Sequence, residues 1–273
     1  MFSVLCVLAS SFFCISNPVV DMREDPSEKS KVVSQAIFAE QVRKEKVWEK
    51  WSYIRTPDGY KGWILSENLV KAPYNSDLKV TRPRAHIYGV KDTEYGPIKT
   101  VPYGSMVQLL DASDERWIKI ALPDGSEGYI QKGDVAEEPK LSHKSELVAF
   151  SQKFLGLPYT WGGRSSFGYD CSGFVQMLYS HIGIELQRDA RQQVLDKRLV
   201  TTTLDQLELG DLLFWGKSEQ KILHVGMYIG NNQFIHATSR ENKPWIRISS
   251  LTDFEWSADE NAYYPYRIAK RLK

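Results

Sequence analysis

The sequence contains too few cysteines for a protein stabilised by disulfides. Its 273 residues include three, Cys6, Cys14 and Cys171. An odd number leaves at least one free thiol, so a disulfide framework is excluded. Cys6 and Cys14 have only each other as disulfide partners, which leaves Cys171 alone in the second half of the chain. Because a solitary thiol is usually a small buried packing residue, the residues around Cys171 must supply the case for chemistry.

The chain also lacks an excess of charge of either sign. Its net charge is +1, from 35 Lys and Arg against 34 Asp and Glu. No basic excess exists to neutralise a phosphate backbone, so we expect no nucleic-acid partner. Apolar residues make up 42% and charged residues 25%, which is ordinary for a globular protein, and the length suits two or three compact domains.

Long apolar runs are missing apart from the N-terminus. Residues 1–13, MFSVLCVLASSFF, are too few to span a bilayer, so we expect no stable membrane insertion. Positive charge, which normally opens a secretory signal, is absent before Arg23, although Ala9 offers a small-residue cleavage context. Two interpretations stay open, a weak export signal and a strand extension. We favour export; a cytoplasmic location is the alternative, and it suits an unpaired thiol.

An internal repeat occupies the first half of the chain. The segment EKWSYIRTPDGYKGWI, residues 49–64, aligns with ERWIKIALPDGSEGYI, residues 115–130, at an offset of 66 residues. In each copy an Asp-Gly dipeptide lies between runs of alternating apolar and polar residues, which predicts a β-hairpin. Each copy therefore indicates a small all-β module of about 60 residues.

The pattern changes after residues 136–145, AEEPKLSHKS, a polar connector that contains a proline. Helical spacing predicts a helix over 145–156 and a second helix from Ser172 to Ile182. Strand-like runs follow: LLFW (212–215), HVGMYIG (224–230), QFIHAT (233–238) and WIRIS (245–249). Helices followed by antiparallel strands indicate the α+β class.

Cys171 lies where a glycine-rich, aromatic loop, residues 158–170, runs into the second predicted helix. A thiol at a helix N-terminus faces unpaired backbone N–H groups and the positive end of the helix dipole, which favour the thiolate. The thiolate is the reactive form of cysteine. The position therefore predicts that Cys171 is a nucleophile.

A nucleophilic cysteine needs a base, and the base needs an orienting partner. His224 and His236 lie on adjacent predicted strands joined by a Gly-Asn-Asn turn, so antiparallel pairing brings both rings to one surface. His224 is then the base, and His236 holds its ring in the useful tautomer. Zinc binding by Cys171 and the two histidines is the alternative, but no metal-ligand spacing supports it. We expect no metal or organic cofactor.

The segments YTWGG, DCSGF, HVGMYIG and FIHA, in this order, resemble the NlpC/p60 family of cell-wall peptidases over roughly residues 140–270. The resemblance implies an α+β, papain-like core in which N-terminal helices pack on an antiparallel sheet. It places the family's Cys-His-His triad on Cys171, His224 and His236, and it places Tyr159 beside the oxyanion site.

The two repeat copies resemble bacterial SH3 domains, small barrels closed by a W…DGxxGW hairpin. This resemblance implies SH3-like domains at 14–75 and 76–137. They lie between the apolar segment 1–13, the candidate signal, and a peptidase domain at 138–273 that the NlpC/p60 resemblance implies.

Paired SH3-like domains ahead of this core resemble a narrower group, the γ-D-glutamyl-L-diamino acid endopeptidases. Those enzymes cut murein peptides that carry a free N-terminal L-Ala, in wall remodelling or recycling. The resemblance implies that Asp170 captures the α-ammonium and that Ser172 contacts the substrate, with Asp189, Glu40 and Tyr60 as further ligands. A desolvated ammonium does need carboxylates. We expect peptidoglycan-derived peptides as partners and a monomeric chain.

Two other functions remain open from the sequence. One is a non-catalytic wall-binding protein whose repeats act as anchors. The other is a papain-like amidase or acyltransferase that acts on another substrate. We expect the remaining histidines, His86, His143 and His181, to be surface or packing residues.

Overall fold

The computed structural model describes residues 11–71, 74–137 and 140–273. These residues divide into two compact units. The first unit runs to residue 137 and also includes Arg164–Phe167, and the second comprises residues 140–163 and Gly168–Lys273. The predicted peptidase domain is continuous from 138, whereas the structure groups four of its residues with the first unit.

Two sheets of the first unit correspond to the two repeat copies. The first contains β1 (Ser11–Ile15), β2 (Val19–Arg23), β3 (Val32–Ile37), β4 (Gln41–Trp48), β5 (Trp51–Arg55), β6 (Lys61–Leu65) and β7 (Leu69–Lys71). The second contains β8 (Leu78–Val80), β9 (Arg84–Tyr88), β10 (Lys99–Pro102), β11 (Met106–Asp111), β12 (Trp117–Ala121), β13 (Glu127–Gln131) and β14 (Val135–Ala136). A further short strand of this unit is β15 (Arg164–Ser165).

The two sheets have the same topology. Their strand orders are β3-β2-β6-β5-β4-β1-β7 and β10-β9-β13-β12-β11-β8-β14, with antiparallel neighbours throughout the described residues. Both predicted Asp-Gly hairpins are confirmed, as β5–β6 and β12–β13. Gly59 and Gly125 have φ of 83° and 84°, a left-handed conformation that glycine adopts without a steric penalty.

The first sheet begins at Ser11, before the predicted boundary between the N-terminal segment 1–13 and the first SH3-like domain at residue 14. Phe12 and Phe13 are already paired with Arg43 and Val42 in strand β1, so the boundary divides a strand. This agrees with a strand extension at residues 11–13. Residues 1–10 and Cys6 lie outside the described residues, so the export signal stays a prediction. Cys14 is a buried free thiol, and burial raises its pKa.

The second unit contains helices first and an antiparallel sheet after them, as the pattern predicted. None of the described helices is long and apolar enough to cross a membrane. The elements are α1 (Lys144–Ser151), β16 (Gly168–Tyr169), α2 (Cys171–Ser180), α3 (Ala190–Gln193), β17 (Leu199–Thr202), β18 (Leu212–Ser218), β19 (Lys221–Gly230), β20 (Gln233–Thr238), β21 (Trp245–Ser250) and β22 (Tyr266–Leu272).

The sheet of the second unit has the order β17-β22-β18-β19-β20-β21 among the described strands. Helix α2 packs on β19 and β20 through fully buried Phe174, Val175 and Leu178. This face of α2 is the apolar side that the sequence predicted. The packing sets the first turn of the helix, with Cys171, against the two strands that carry the histidines.

The close approach of two strands in the first sheet gives a stability prediction. A Cβ added to Gly62 would lie 2.9 Å from the Cβ of Met22 and 3.2 Å from the carbonyl oxygen of Arg23. We expect Gly62→Ala to lower the free energy of unfolding by about 1–3 kcal/mol, because the core there is already filled. Gly133→Ala is the control, since a Cβ at Gly133 meets no atom within 4 Å. Equal urea midpoints for the two variants would contradict the prediction.

Candidate active site

Helix α2 begins at Cys171 because Asp170 caps it. Asp170 has extended backbone angles, φ −90° and ψ 177°, and its Oδ1 accepts a hydrogen bond from the Gly173 N–H at 2.7 Å. This is the usual chemistry of a helix N-cap. The Cys171 side chain is 9% exposed, and its sulfur accepts from the backbone N–H groups of Ser172 and Val225. The bond to Val225 places the sulfur beside strand β19, the strand that also carries His224.

Two glycines let the preceding loop lie directly on the helix start. A Cβ on Gly173 would be 2.2 Å from the carbonyl oxygen of Gly163, and a Cβ on Gly163 would be 2.2 Å from that of Gly168. The Asp170 N–H donates to the same Gly163 carbonyl at 3.1 Å. The glycines of the WGG and DCSG segments are therefore required by close backbone contact.

The two predicted histidines are in direct contact. Strands β19 and β20 pair antiparallel, as predicted, around Asn231 and Asn232, which both have positive φ. Nε2 of His224 lies 2.8 Å from Nδ1 of His236, and Nε2 of His236 lies 3.0 Å from the Ser249 hydroxyl. All three residues are buried.

This chain of contacts accommodates two sets of tautomers, and one of them leaves His224 able to act as a base. If His224 carries its proton on Nε2 and donates to His236 Nδ1, then His236 carries its own proton on Nε2 and donates to the Ser249 oxygen. His224 Nδ1 is then an unprotonated acceptor, which is the state that a general base needs. Ser249 escaped the sequence reasoning because only the pairing of β20 with β21 brings it to His236.

Aromatic side chains surround the histidine pair. The rings of Trp256, Trp215 and Tyr264 have centroids 5.1, 5.6 and 6.3 Å from that of His224, and Trp256 is 4.6 Å from His236. Burial lowers the pKa of His224 to about 3, and the charges of nearby arginines lower it further. Burial, then the charge of His224, likewise lower the pKa of His236 well below its ordinary value.

The thiol departs from the expectation that the helix N-terminus favours thiolate. Burial, followed by the neighbouring Asp170 charge, raises the pKa of Cys171 to about 12. The N–H groups of Val225 and Ser172 and the charge of Arg188 lower this pKa, but by less. Desolvation outweighs the helix start here because the thiol is enclosed. Cys171 and His224 are thus neutral at rest. An ion pair forms only when both charges appear together and each compensates the other's desolvation.

Tyr159 lies near Cys171, and its implied place beside the oxyanion site stays a prediction. Its N–H donates to the Pro244 carbonyl at 2.8 Å, which ties the loop to the segment before β21. Burial raises the pKa of its phenol, and the nearby charges of Cys171 and Asp170 raise it further. The phenol therefore stays protonated at neutral pH and is available as a hydrogen-bond donor.

Asp170 and Ser172 are joined to a residue that the sequence reasoning missed, Arg188. The Arg188 guanidinium donates to Asp170 Oδ1 at 2.9 Å and to Oδ2 at 2.7 Å, and it donates to the Ser172 hydroxyl at 3.0 Å. Its side chain is 1% exposed. The Asp170 carboxylate thus already has a cation, although Oδ2 has only this one hydrogen-bond partner among the described residues. Capture of a substrate ammonium by Asp170 stays a prediction.

Asp189 lies just before helix α3 and pairs with Arg191, with Nη2 and Oδ2 3.0 Å apart. The Asp189 side chain is about one-fifth exposed, whereas that of Arg191 is largely exposed. A contact of Asp189 with substrate stays a prediction.

Glu40 and Tyr60 belong to the first unit. The Glu40 carboxylate accepts from both terminal nitrogens of Arg164, at 3.1 and 3.3 Å, and from the Ile37 N–H at 3.2 Å. Tyr60 packs against the core of the first sheet. The Arg164 partner was not foreseen from the sequence, because 124 residues separate it from Glu40. The ammonium-binding roles of Glu40 and Tyr60 stay predictions.

Within residues 11–71, 74–137 and 140–273, no group of three or more His, Cys, Asp or Glu side chains could hold a metal ion. Zinc binding by Cys171, His224 and His236 would need such a group.

Comparison with known protein families gives two matches. The NlpC/P60 family matches residues 156–261, which include Cys171, His224 and His236. The bacterial SH3 domain family matches residues 18–70, the first of the two repeat copies. An SH3-like assignment of the second copy stays a prediction, supported by its identical strand order.

Individual relatives extend these matches. A γ-D-glutamyl-L-lysine dipeptidyl-peptidase of Bacillus subtilis is 29% identical over 81% of this chain and 77% of its own length. A probable endopeptidase NlpC homolog of Haemophilus influenzae is 35% identical over 49% of this chain and 69% of its own. The crystal structure of an NlpC/P60 family protein from Bacillus cereus superposes with a TM-score of 0.80, at 23% identity, over 96% of this chain and 99% of that one.

The contact between His236 and Ser249 gives a test of the tautomer chain. We expect Ser249→Ala to slow alkylation of Cys171 by iodoacetamide at neutral pH on the order of tenfold, because His224 loses its fixed tautomer as a base. Ser249→Thr keeps the hydroxyl and restores the rate. Ser250→Ala is the matched control, because that hydroxyl contacts Thr252 instead. Peptide mapping distinguishes alkylation of Cys171 from alkylation of the other thiols. If Cys171 in Ser249→Ala is alkylated at the wild-type rate, Ser249 does not orient the histidine pair.

The buried histidines also predict how stability depends on pH. Their pKa values in the folded state lie below the unfolded value of about 6.5, so the unfolded chain binds more protons as the pH falls below that value. Stability is therefore present above about pH 6.5 and is lost towards acid, by up to about 1.4 kcal/mol per pH unit for each histidine. We expect a shallower slope for His236→Asn in urea unfolding between pH 6.5 and 4.5.

The control for this slope is His143→Asn. His143 is exposed and caps helix α1, a position that asparagine also suits. This variant should keep the wild-type slope. Identical slopes for wild type and His236→Asn would show that His236 is not the group whose protonation opposes folding.

Proposed function

Because this chain belongs to the NlpC/P60 family, we propose that it is a cysteine peptidase that hydrolyses peptidoglycan peptides. The observation that carries the proposal is the His224–His236–Ser249 chain of contacts, together with the packing of helix α2, which begins at Cys171, on the strands that carry both histidines. The arrangement has a nucleophile, a base and an orienting group, which together suffice for acyl transfer.

The bond we propose lies between the γ-carboxyl of D-Glu and the amine of the diamino acid. The B. subtilis relative, named a γ-D-glutamyl-L-lysine dipeptidyl-peptidase, supports this linkage. We further propose a preference for peptides with a free N-terminal L-Ala, whose ammonium is met by carboxylates. Asp170 Oδ2 retains acceptor capacity beyond Arg188, and Asp189, Glu40 and Tyr60 are the other proposed ligands.

In the first half of the reaction, the Cys171 proton moves to His224 Nδ1 as the sulfur attacks the amide carbonyl. Concerted transfer avoids an isolated thiolate in a buried site, where burial raises the thiol pKa to about 12. The tetrahedral oxyanion accepts hydrogen bonds from backbone N–H groups at the helix start and from the Tyr159 phenol. His224 then gives its proton to the leaving amine, which departs as the diamino acid and leaves a thioester on Cys171.

In the second half, neutral His224 takes a proton from water, and the hydroxide attacks the thioester carbonyl. Collapse of the second oxyanion expels the Cys171 sulfur, which recovers its proton from His224. The acyl product leaves with a new γ-carboxyl on D-Glu. His236, through its proton on Nε2 and the Ser249 oxygen, keeps the His224 ring oriented in both halves.

The compartment follows from the proposed substrate. We propose that the chain acts as a monomer on wall-derived peptides in the bacterial cell envelope. A cytoplasmic role in murein recycling is the alternative, and it accords with the free thiols of Cys14 and Cys171.

The proposed reaction is tested with L-Ala-γ-D-Glu-L-Lys and its N-acetylated form. We expect wild type to release lysine from the free peptide, N-acetylation to lower kcat/KM at least tenfold, and Cys171→Ala to abolish release. Cys14→Ala, which removes the buried thiol of the first unit, is the matched control and should retain activity. Mass spectrometry identifies the products.

The outcomes separate the competing functions. Lysine release by Cys171→Ala at the wild-type rate would end the proposed mechanism. A wild-type protein that binds the peptide without cleaving it would indicate a wall-binding module instead. Transfer of the acyl group to an added amine in place of water would indicate an acyltransferase.

A further inference from the structure

Arg240 has no carboxylate partner among the described residues, which sets it apart from the other arginines of the second unit. Those others each pair with an acid: Arg188, Arg191, Arg198, Arg247, Arg267 and Arg271. The acid next to Arg240 in sequence, Glu241, is occupied by Arg247 at 2.6 Å and lies 3.7 Å from Lys243. A partly buried guanidinium without an anion bears a desolvation cost that a bound anion would relieve.

The Arg240 guanidinium is held in a fixed orientation by two tyrosines. Its Cζ lies 4.4 Å from the ring centroid of Tyr264 and 5.4 Å from that of Tyr263, and its Nη2 donates to the Tyr264 phenol. Stacking of this kind immobilises the planar fork that binds carboxylates with two parallel hydrogen bonds. The side chain is therefore organised before any ligand arrives.

The position of Arg240 relates it to the histidine pair. The Tyr264 ring stacks with the ring of His224, with centroids 6.3 Å apart and planes at 23°, so the guanidinium and the imidazole share this tyrosine as a neighbour. In agreement with this proximity, the charge of Arg240 lowers the pKa of His224. An anion bound at Arg240 lies within reach of a substrate whose leaving group meets His224.

We propose that Arg240 is a carboxylate-binding subsite for the substrate, an inference that rests on the function proposed above. A γ-D-Glu–diamino acid peptide offers two carboxylates near the scissile amide: the free α-carboxylate of D-Glu, and the α-carboxylate of the diamino acid. Either one matches a planar, stacked guanidinium. Binding also neutralises a positive charge close to His224, so the imidazolium forms more easily once the substrate is in place.

The test compares three peptides with wild type, Arg240→Gln, Arg240→Lys and Lys243→Gln. The peptides are L-Ala-γ-D-Glu-L-Lys, the same peptide amidated at the D-Glu α-carboxyl, and the same peptide amidated at the lysine carboxyl. We expect Arg240→Gln to lower kcat/KM for the unmodified peptide on the order of tenfold to a hundredfold, as for loss of a charged hydrogen bond. The kcat/KM of Arg240→Lys should lie between those of wild type and Arg240→Gln, because lysine keeps the positive charge but lacks the planar fork of donors.

Amidation of the carboxylate that Arg240 binds should bring the ratio of kcat/KM between wild type and Arg240→Gln towards one. The peptide on which this happens identifies which of the two carboxylates Arg240 binds. The ratio between peptides for one protein sample does not depend on how much of the sample is folded. Lys243→Gln removes a charge from the same turn, and we expect it to leave the ratios unchanged. Its side chain is half exposed.

If Arg240→Gln lowers kcat/KM by the same factor on all three peptides, or on none of them, the proposed carboxylate subsite is overturned. If wild type cleaves none of the three peptides, the proposed function itself fails, and the subsite fails with it. The two failures are thus distinguishable by the wild-type rates alone.

Discussion

The carboxylate of Asp170 joins three parts of the second unit: the start of helix α2, the loop before it and the buried Arg188. It caps the helix through the Gly173 N–H, and it receives both terminal nitrogens of Arg188. Loss of either charge would leave the other buried and unpaired, a cost of about 3–5 kcal/mol in other proteins. The position of Cys171 depends on this network, because the helix start fixes where its sulfur meets strand β19.

Burial is the second constraint on the site, and it acts against the charges that the reaction needs. The aromatic shell of His224 and His236 favours the neutral imidazole, and enclosure of Cys171 favours the neutral thiol. In such a site the thiolate and the imidazolium cost less when they form together, because each charge compensates the desolvation of the other. The chain from His224 through His236 to Ser249 supplies orientation instead of charge, since it holds the His224 ring through Nε2 and leaves Nδ1 outside the chain.

The proposed substrate, a zwitterionic peptide, would place opposite demands on the protein. A free ammonium requires carboxylates, and in this chain Asp170 and Glu40 already bind Arg188 and Arg164. These arginines lower the net negative charge available to an ammonium, so any selectivity for a free N-terminus has to come from acceptor atoms that remain open. Carboxylates of the substrate meet the reverse situation at Arg240, whose guanidinium is oriented by tyrosines and not neutralised by an acid.

Local patterns in the sequence predicted the elements and singled out the candidate reacting groups. The Asp-Gly turns of both repeats, helix α2 and the pairing of β19 with β20 all follow from side-chain period and turn chemistry, which act over a few residues. Ser249, Arg188 and the Arg164 partner of Glu40 were decided only by the tertiary structure, because segments distant along the chain supply them. The ionisation of Cys171 belongs with them: the sequence shows a helix start, which favours thiolate, but enclosure by other segments sets the desolvation that outweighs it.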